Sequence, residues 1–74
     1  GIITADIPGL VVDVKVKEGQ KVHHGEPVIV VEAMKMQNEL CAGVAGTVSR
    51  VPVKTGQSVN PGDVLVEIEP EPGG

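Results

Sequence analysis

The 74-residue sequence contains no Phe, Tyr or Trp. A core without aromatic rings must be assembled from Val, Ile, Leu and Met, and a Val-rich composition favours strands. The same absence removes the platforms on which bases stack. With only six Lys or Arg against ten Asp or Glu, a net charge of −4, it argues against nucleic-acid binding. A single cysteine, Cys41, rules out an intrachain disulfide and fits a reducing compartment: the cytoplasm, or the mitochondrial matrix or a plastid if the source is eukaryotic. No signal-peptide pattern is visible. The longest uncharged apolar run, Pro27 to Val31, is far short of the roughly 20 residues that cross a bilayer, so no membrane insertion is expected. Length is also scarce: 74 residues make one small domain, without the walls an enzyme active site needs.

What is present is an internal repeat. A shift of 37 positions aligns Ala5–Ala33 with Ala42–Pro70 without a gap, and 11 of the 29 pairs are identical, where chance gives about two. The identities are Ala5/Ala42, Gly9/Gly46, Val11/Val48, Val14/Val51, Val16/Val53, Lys17/Lys54, Gly19/Gly56, Gln20/Gln57, Val22/Val59, Gly25/Gly62 and Glu32/Glu69. Two copies are too few for a solenoid, so each half is expected to complete the other's core about a pseudo-twofold axis. The chain reads as one domain over residues 1–74, with halves at about 5–33 and 42–70 and a solvated tail at 71–74.

Each half carries the same punctuation. An apolar segment follows a glycine (Leu10 to Val16; Thr47 to Val53), KEGQ or KTGQ turns the chain, a short piece centres on Val22 or Val59, and a second glycine turns it again. An apolar strand closes the half, Val28 to Glu32 or Val64 to Glu69. Apolar residues alternate with period two, as in Val14 and Val16 against Lys15 and Lys17, or Val64, Val66 and Ile68 against Leu65, Glu67 and Glu69. The spacing Val11 to Val14, repeated as Val48 to Val51, breaks the alternation and predicts a bulge in both halves. Short strands between frequent turn signals predict an all-β fold without helices, an antiparallel sandwich or flattened barrel.

The repeat also locates an anomaly. Val28 to Leu40 holds no Gly or Pro and invites a single long strand. In the second half the equivalent strand runs into Pro70, whose partner position is Ala33. The first-half strand therefore ends near Ala33, Ala33 to Met36 becomes a hairpin tip, and Asn38 to Cys41 begins the return strand. Tight hairpins ordinarily take Asn-Gly or Asp-Gly because their turns need positive φ. Bulky residues there cost roughly 1–3 kcal/mol each, and a local rule broken without compensation marks a functional position.

That tip reads EAMKM, Glu32 to Met36. With an apolar strand before it, QNEL after it, the openings IPG and VAG, and the turns GQKVHHG and GQSVNPG, the chain resembles the biotinyl domain of biotin-dependent carboxylases and decarboxylases from about Thr4 to Glu69. The Ala-Met-Lys-Met core is specific, whereas the GQ turns alone also fit lipoyl domains. The resemblance implies two facing four-stranded antiparallel sheets, a barrel-sandwich hybrid, with the lysine hairpin at one end and both termini at the other. It implies biotin in amide linkage to the Lys35 amine, and a carrier of carboxyl groups between a biotin carboxylase and a carboxyltransferase, not a catalyst. A solvated lysine is almost wholly ammonium near neutrality, and nothing nearby activates it, so the acylating power is expected from a partner, a biotin protein ligase. Asp6 and Gly43 stand where the family often has Pro, and the gap-free repeat leaves no room for the inserted thumb of some members.

Around the lysine, Glu32, Ala33, Met34 and Met36 are the candidates for ligase or partner recognition. Glu32 recurs as Glu69 in a half with no modification site, which favours an ordinary outward strand residue. Methionines usually fill core gaps; a hairpin tip offers little core, which favours recognition for Met34 and leaves Met36 open. His23 and His24 correspond to Asn60 and Pro61, so a structural loop is expected there and no metal site. Cys41 corresponds to Thr4 and has no catalytic His partner. Two other functions share the general pattern: a lipoyl carrier, whose lysine typically lies between Asp and Ala, and an unmodified structural module whose hairpin opens into a helical coil.

Overall fold

The structure, a computed structural model, describes residues 1–72; Gly73 and Gly74, the end of the expected tail, lie outside the described residues. Eight strands follow one another: β1 (Ile2–Thr4), β2 (Gly9–Val14), β3 (Lys21–Val22), β4 (Pro27–Ala33), β5 (Met36–Cys41), β6 (Gly46–Arg50), β7 (Ser58–Val59) and β8 (Val64–Pro70). There is no helix among the described residues. The strands form two four-stranded antiparallel sheets, ordered β1-β8-β6-β3 and β5-β4-β2-β7. They face each other as a flattened sandwich whose sheets are not joined into a closed barrel.

Adding 37 to a residue number carries one sheet onto the other. β1, β3, β6 and β8 take the places of β5, β7, β2 and β4, and each sheet draws two strands from each half of the chain. The turns interlock in the same way. Gly19 N–H donates to the Val48 carbonyl at 2.8 Å, and Gly56 N–H donates to Val11 at 2.7 Å. Ala42 N–H bonds Glu26 O at 2.8 Å and Ala5 N–H bonds Asp63 O at 3.0 Å, each alanine inserting into a turn of the opposite half. The Gln of each GQ turn closes it on itself: Gln20 Oε1 accepts from Lys17 N–H at 3.2 Å, and Gln57 Oε1 from Lys54 N–H at 3.1 Å. Gly19 and Gly56, at φ 88° and 91°, occupy the left-handed region that glycine enters without steric cost.

The core is wholly aliphatic, with no buried polar or charged residue among those described. Ile29, Leu65, Val11, Val22, Val28, Val48, Val59 and Val66 are its largest fully buried side chains. Both expected bulges are present, as register shifts between Val11 and Asp13 and between Val48 and Arg50. Strict alternation fails at a second pair of positions. Leu65, expected on the outer side with Glu67 and Glu69, is fully buried beside Val66, as its repeat mate Val28 is beside Ile29, where the registers of β8 on β1 and of β4 on β5 shift again. A bulge turns neighbouring side chains toward the same side.

Candidate functional site

β4 and β5 pair from Pro27↔Cys41 to Ala33↔Met36, so the hairpin carries its tip about 20 Å from its base at the usual rise per residue. At the base, Cys41 leads through Ala42 to Ala45, whose carbonyl accepts from Glu71 N–H at 3.1 Å. Nearby the Gly1 ammonium donates to Ile68 O at 2.7 Å. The tip and the Gly1–Glu71 region therefore occupy opposite ends of a domain 40 Å long and 19 by 18 Å across.

The loop itself is two residues, Met34 and Lys35. The return strand thus begins at Met36, two residues earlier than Asn38, because both loop residues take the left-handed conformation that lets pairing resume at once. Their φ values of 53° and 64° are the signature of a type I′ turn. Among the described residues they are the only non-glycines with positive φ. The strain is held from below. Five further pairs lock β4 to β5, Ala33 is buried beneath the loop, and Asn38 Nδ2 reaches the Met36 carbonyl at 3.4 Å. β2 closes against β4 just below the tip at Gly9, where a Cβ would stand 2.7 Å from Glu32 O and 2.8 Å from Val31 Cγ1. Gly9 is a positioning residue for the hairpin; the sequence shows it as a repeat identity and as the glycine of the IPG opening, without its closeness to β4.

At the tip, Lys35 is exposed, and neither ion pair among the described residues, Asp13–Lys15 nor Arg50–Glu67, involves it. Met34 is 83% and Met36 66% exposed, so neither methionine fills the core. Met34 and Lys35 border an open depression on the outer face of the sheet, with Glu32, Leu10, Pro8 and Ser58 beside them. Glu32 is exposed in β4 and Ala33 is buried. Of the other residues considered, His23 and His24 are exposed in a turn, where His23 N–H donates to Glu26 Oε1 at 2.9 Å. Cys41 is a free, exposed thiol on β5. Among the described residues no three His, Cys, Asp or Glu side chains gather closely enough to hold a metal ion, and no helix is long and apolar enough to cross a membrane.

This geometry has close parallels. The family model described as "Biotin-requiring enzyme", Biotin_lipoyl, matches residues 2–68. The chain belongs to that family. It is 60% identical over 42 residues to the 2-oxoglutarate carboxylase large subunit of Hydrogenobacter thermophilus, a match covering 57% of this chain and 6% of that one. With the biotin carboxyl carrier protein of acetyl-CoA carboxylase from Solanum lycopersicum it shares 53% identity over 38 residues, 51% of this chain and 54% of the relative. Among solved structures, a single-chain, multi-domain long-chain acyl-CoA carboxylase superposes with a TM-score of 0.82 at 41% identity, over 89% of this chain and 6% of that one. The chain thus spans only a small part of the large carboxylase proteins it matches.

Proposed function

We propose that Lys35 is the attachment point of biotin and that its two-residue turn exists to present it. The domain is a biotin carboxyl carrier domain, a non-catalytic part of a biotin-dependent carboxylase or decarboxylase. The observation that carries the Lys35 assignment is the left-handed Met34–Lys35 loop at the end remote from Gly1 and Glu71. Lys17 and Lys54 are repeat mates in equivalent turns, Lys15 is paired with Asp13 and Lys21 lies within β3 opposite Thr47, whereas Lys35 occupies a position without a structural counterpart in the other half.

The residues present suit the group. An exposed amine free of ion pairs can be acylated without dismantling any contact, and an amide there leaves the core untouched. When bound, biotin accepts a carboxyl group at one active site and gives it up at another. The chain's contribution is mechanical. Paired strands keep the tip from folding back, Ala33 and Gly9 seat it, and the tether turns a bimolecular encounter into a high effective concentration at each site. The partners we assign are a biotin protein ligase, a biotin carboxylase and a carboxyltransferase, in a reducing compartment that suits the exposed Cys41 thiol.

A lipoyl carrier is disfavoured by the methionines on both sides of the lysine and by the carboxylase relatives. A structural module is disfavoured by a two-residue loop with no room for a coil. Intact mass after incubation with a biotin protein ligase, biotin and ATP is expected to rise by one biotin. Lys35→Arg is expected to abolish the increment and leave unfolding unchanged; labelling that persisted in this variant would sink the assignment.

A further inference from the structure

The two outer faces of the sandwich are built from equivalent strands in equivalent register, so they should demand the same side chains if folding alone shaped them. They differ. On the β6/β8 face the central positions are Thr47, Ser49 and Glu67; Ser49 Oγ donates to Glu67 O at 3.1 Å and Arg50 pairs with the Glu67 carboxylate at 3.2 Å. The equivalent positions on the β2/β4 face are Leu10, Val12 and Val30. Leu10 is 37% exposed, the two valines are half-buried, and none of the three belongs to the core or packs against it. Their strip is continuous with the lysine. Leu10 lies across from Glu32 and shares one depression with Met34 and Lys35, while Val12 and Val30 line the next one along the sheet. The acids left without an ion pair on the rim are Glu32 and Glu39, while Asp13 and Lys15 pair with each other beside the second depression.

We infer that the Leu10–Val12–Val30 face is the docking surface for the enzyme that acylates Lys35, and that this enzyme meets it with an apolar centre bordered by Lys or Arg. The inference rests on the assignment of Lys35 above. Reach selects this partner over the later ones. An unmodified lysine extends only about 6 Å from its Cα, so an enzyme acting on its amine must bring its own surface over the hairpin. Leu10 stands one strand spacing, about 5 Å, to the side of Glu32, within the area such a surface covers. Once the arm has been lengthened, a partner can act on its far end without touching the sheet. The charge pattern favours a basic rim on the partner, since like charges there would repel.

The internal repeat supplies the variants. Leu10→Thr and Val12→Ser import residues that the fold already accepts at Thr47 and Ser49, and Val30→Thr completes a polar face without adding charge beside Glu39. The control is the mirror pair Thr47→Leu and Ser49→Val. Initial rates of biotin incorporation by a purified biotin protein ligase, with biotin and ATP, are measured against concentration of the 74-residue chain by streptavidin capture, and folding is checked by thermal unfolding. The triple variant is expected to raise KM about tenfold with kcat within about twofold of wild type, and the mirror variant to leave both unchanged. A folded triple variant with wild-type KM overturns the proposal. So does an equal change in the mirror variant, or a defect of the triple variant confined to carboxylation of the biotinylated domain. Failure of the wild-type chain to be labelled at Lys35 overturns the Lys35 assignment as well, which separates the two failures.

Discussion

Gly9 and Glu32 are in such close backbone approach that a side chain at Gly9 would put its Cβ 2.7 Å from the Glu32 carbonyl oxygen. Its repeat mate Gly46 stands against the Glu69 carbonyl in the same way and more tightly. One contact lies beneath the lysine hairpin, the other beneath the C-terminal end of β8. The same packing rule therefore supports the proposed attachment site in one half and the C-terminal end of β8 in the other.

Gly9→Ala is expected to destabilise the domain by about 1–3 kcal/mol, the usual range for overpacking, and to loosen the tip end of the hairpin. Gly46→Ala should cost more. Denaturant melts give the order, and amide exchange at Ala33 and Met36 should rise in the Gly9 variant. Exchange unchanged at those amides would remove Gly9 from the support of the turn.

The loop itself should be a stability deficit. Replacing Met34 and Lys35 together by Asn and Gly supplies the residues a type I′ turn prefers, and a gain of about 1–2 kcal/mol is expected with complete loss of biotin incorporation. Met34→Asn alone should recover part of the gain while Lys35 can still be labelled. A double variant no more stable than wild type would show that the left-handed loop stores no strain.

Each sheet takes two strands from each half of the chain, so neither half holds a closed core. Cleavage between Lys35 and Met36 should give two fragments that lack dispersed amide resonances when separate and regain them when mixed. A fragment that folds alone would contradict the interlocked arrangement of the two halves.

The two GQ turns make the same side-chain bond at sites that share no partner. Gln20→Ala and Gln57→Ala should each cost about 0.5–1 kcal/mol, the net worth of one hydrogen bond, and the double variant should show their sum within about 0.5 kcal/mol. Chemical denaturation of the four proteins checks both numbers.

Much of this was legible because the sequence repeats. The Val11–Val14 spacing disclosed a bulge, and Pro70 disclosed where β4 had to end. The return strand begins two residues earlier than the residue pattern predicts, because Met and Lys only rarely enter a left-handed turn. β1 precedes the aligned repeat and carries no turn signal; the match of Thr4 to Cys41 in the return strand hints at it, and its pairing with β8 gives its extent. Val28 and Leu65 fit the alternating pattern on paper, and their burial depends on bulges set by the neighbouring strands. The apolar outer face was present in the letters at Leu10, Val12 and Val30, but it means something only once register shows those positions to be the counterparts of Thr47, Ser49 and Glu67.

The separation between Lys35 and the Gly1–Glu71 end gives the domain a lever's geometry. Pivoted at that end, a small rotation sweeps the lysine through a wide arc, while the 40 Å body keeps the pivot well outside any cleft the tip enters. On the proposed role of Lys35, rotation about that end sets how far an attached group travels and the hairpin with its arm sets how deep it penetrates, so either distance can change without disturbing the other.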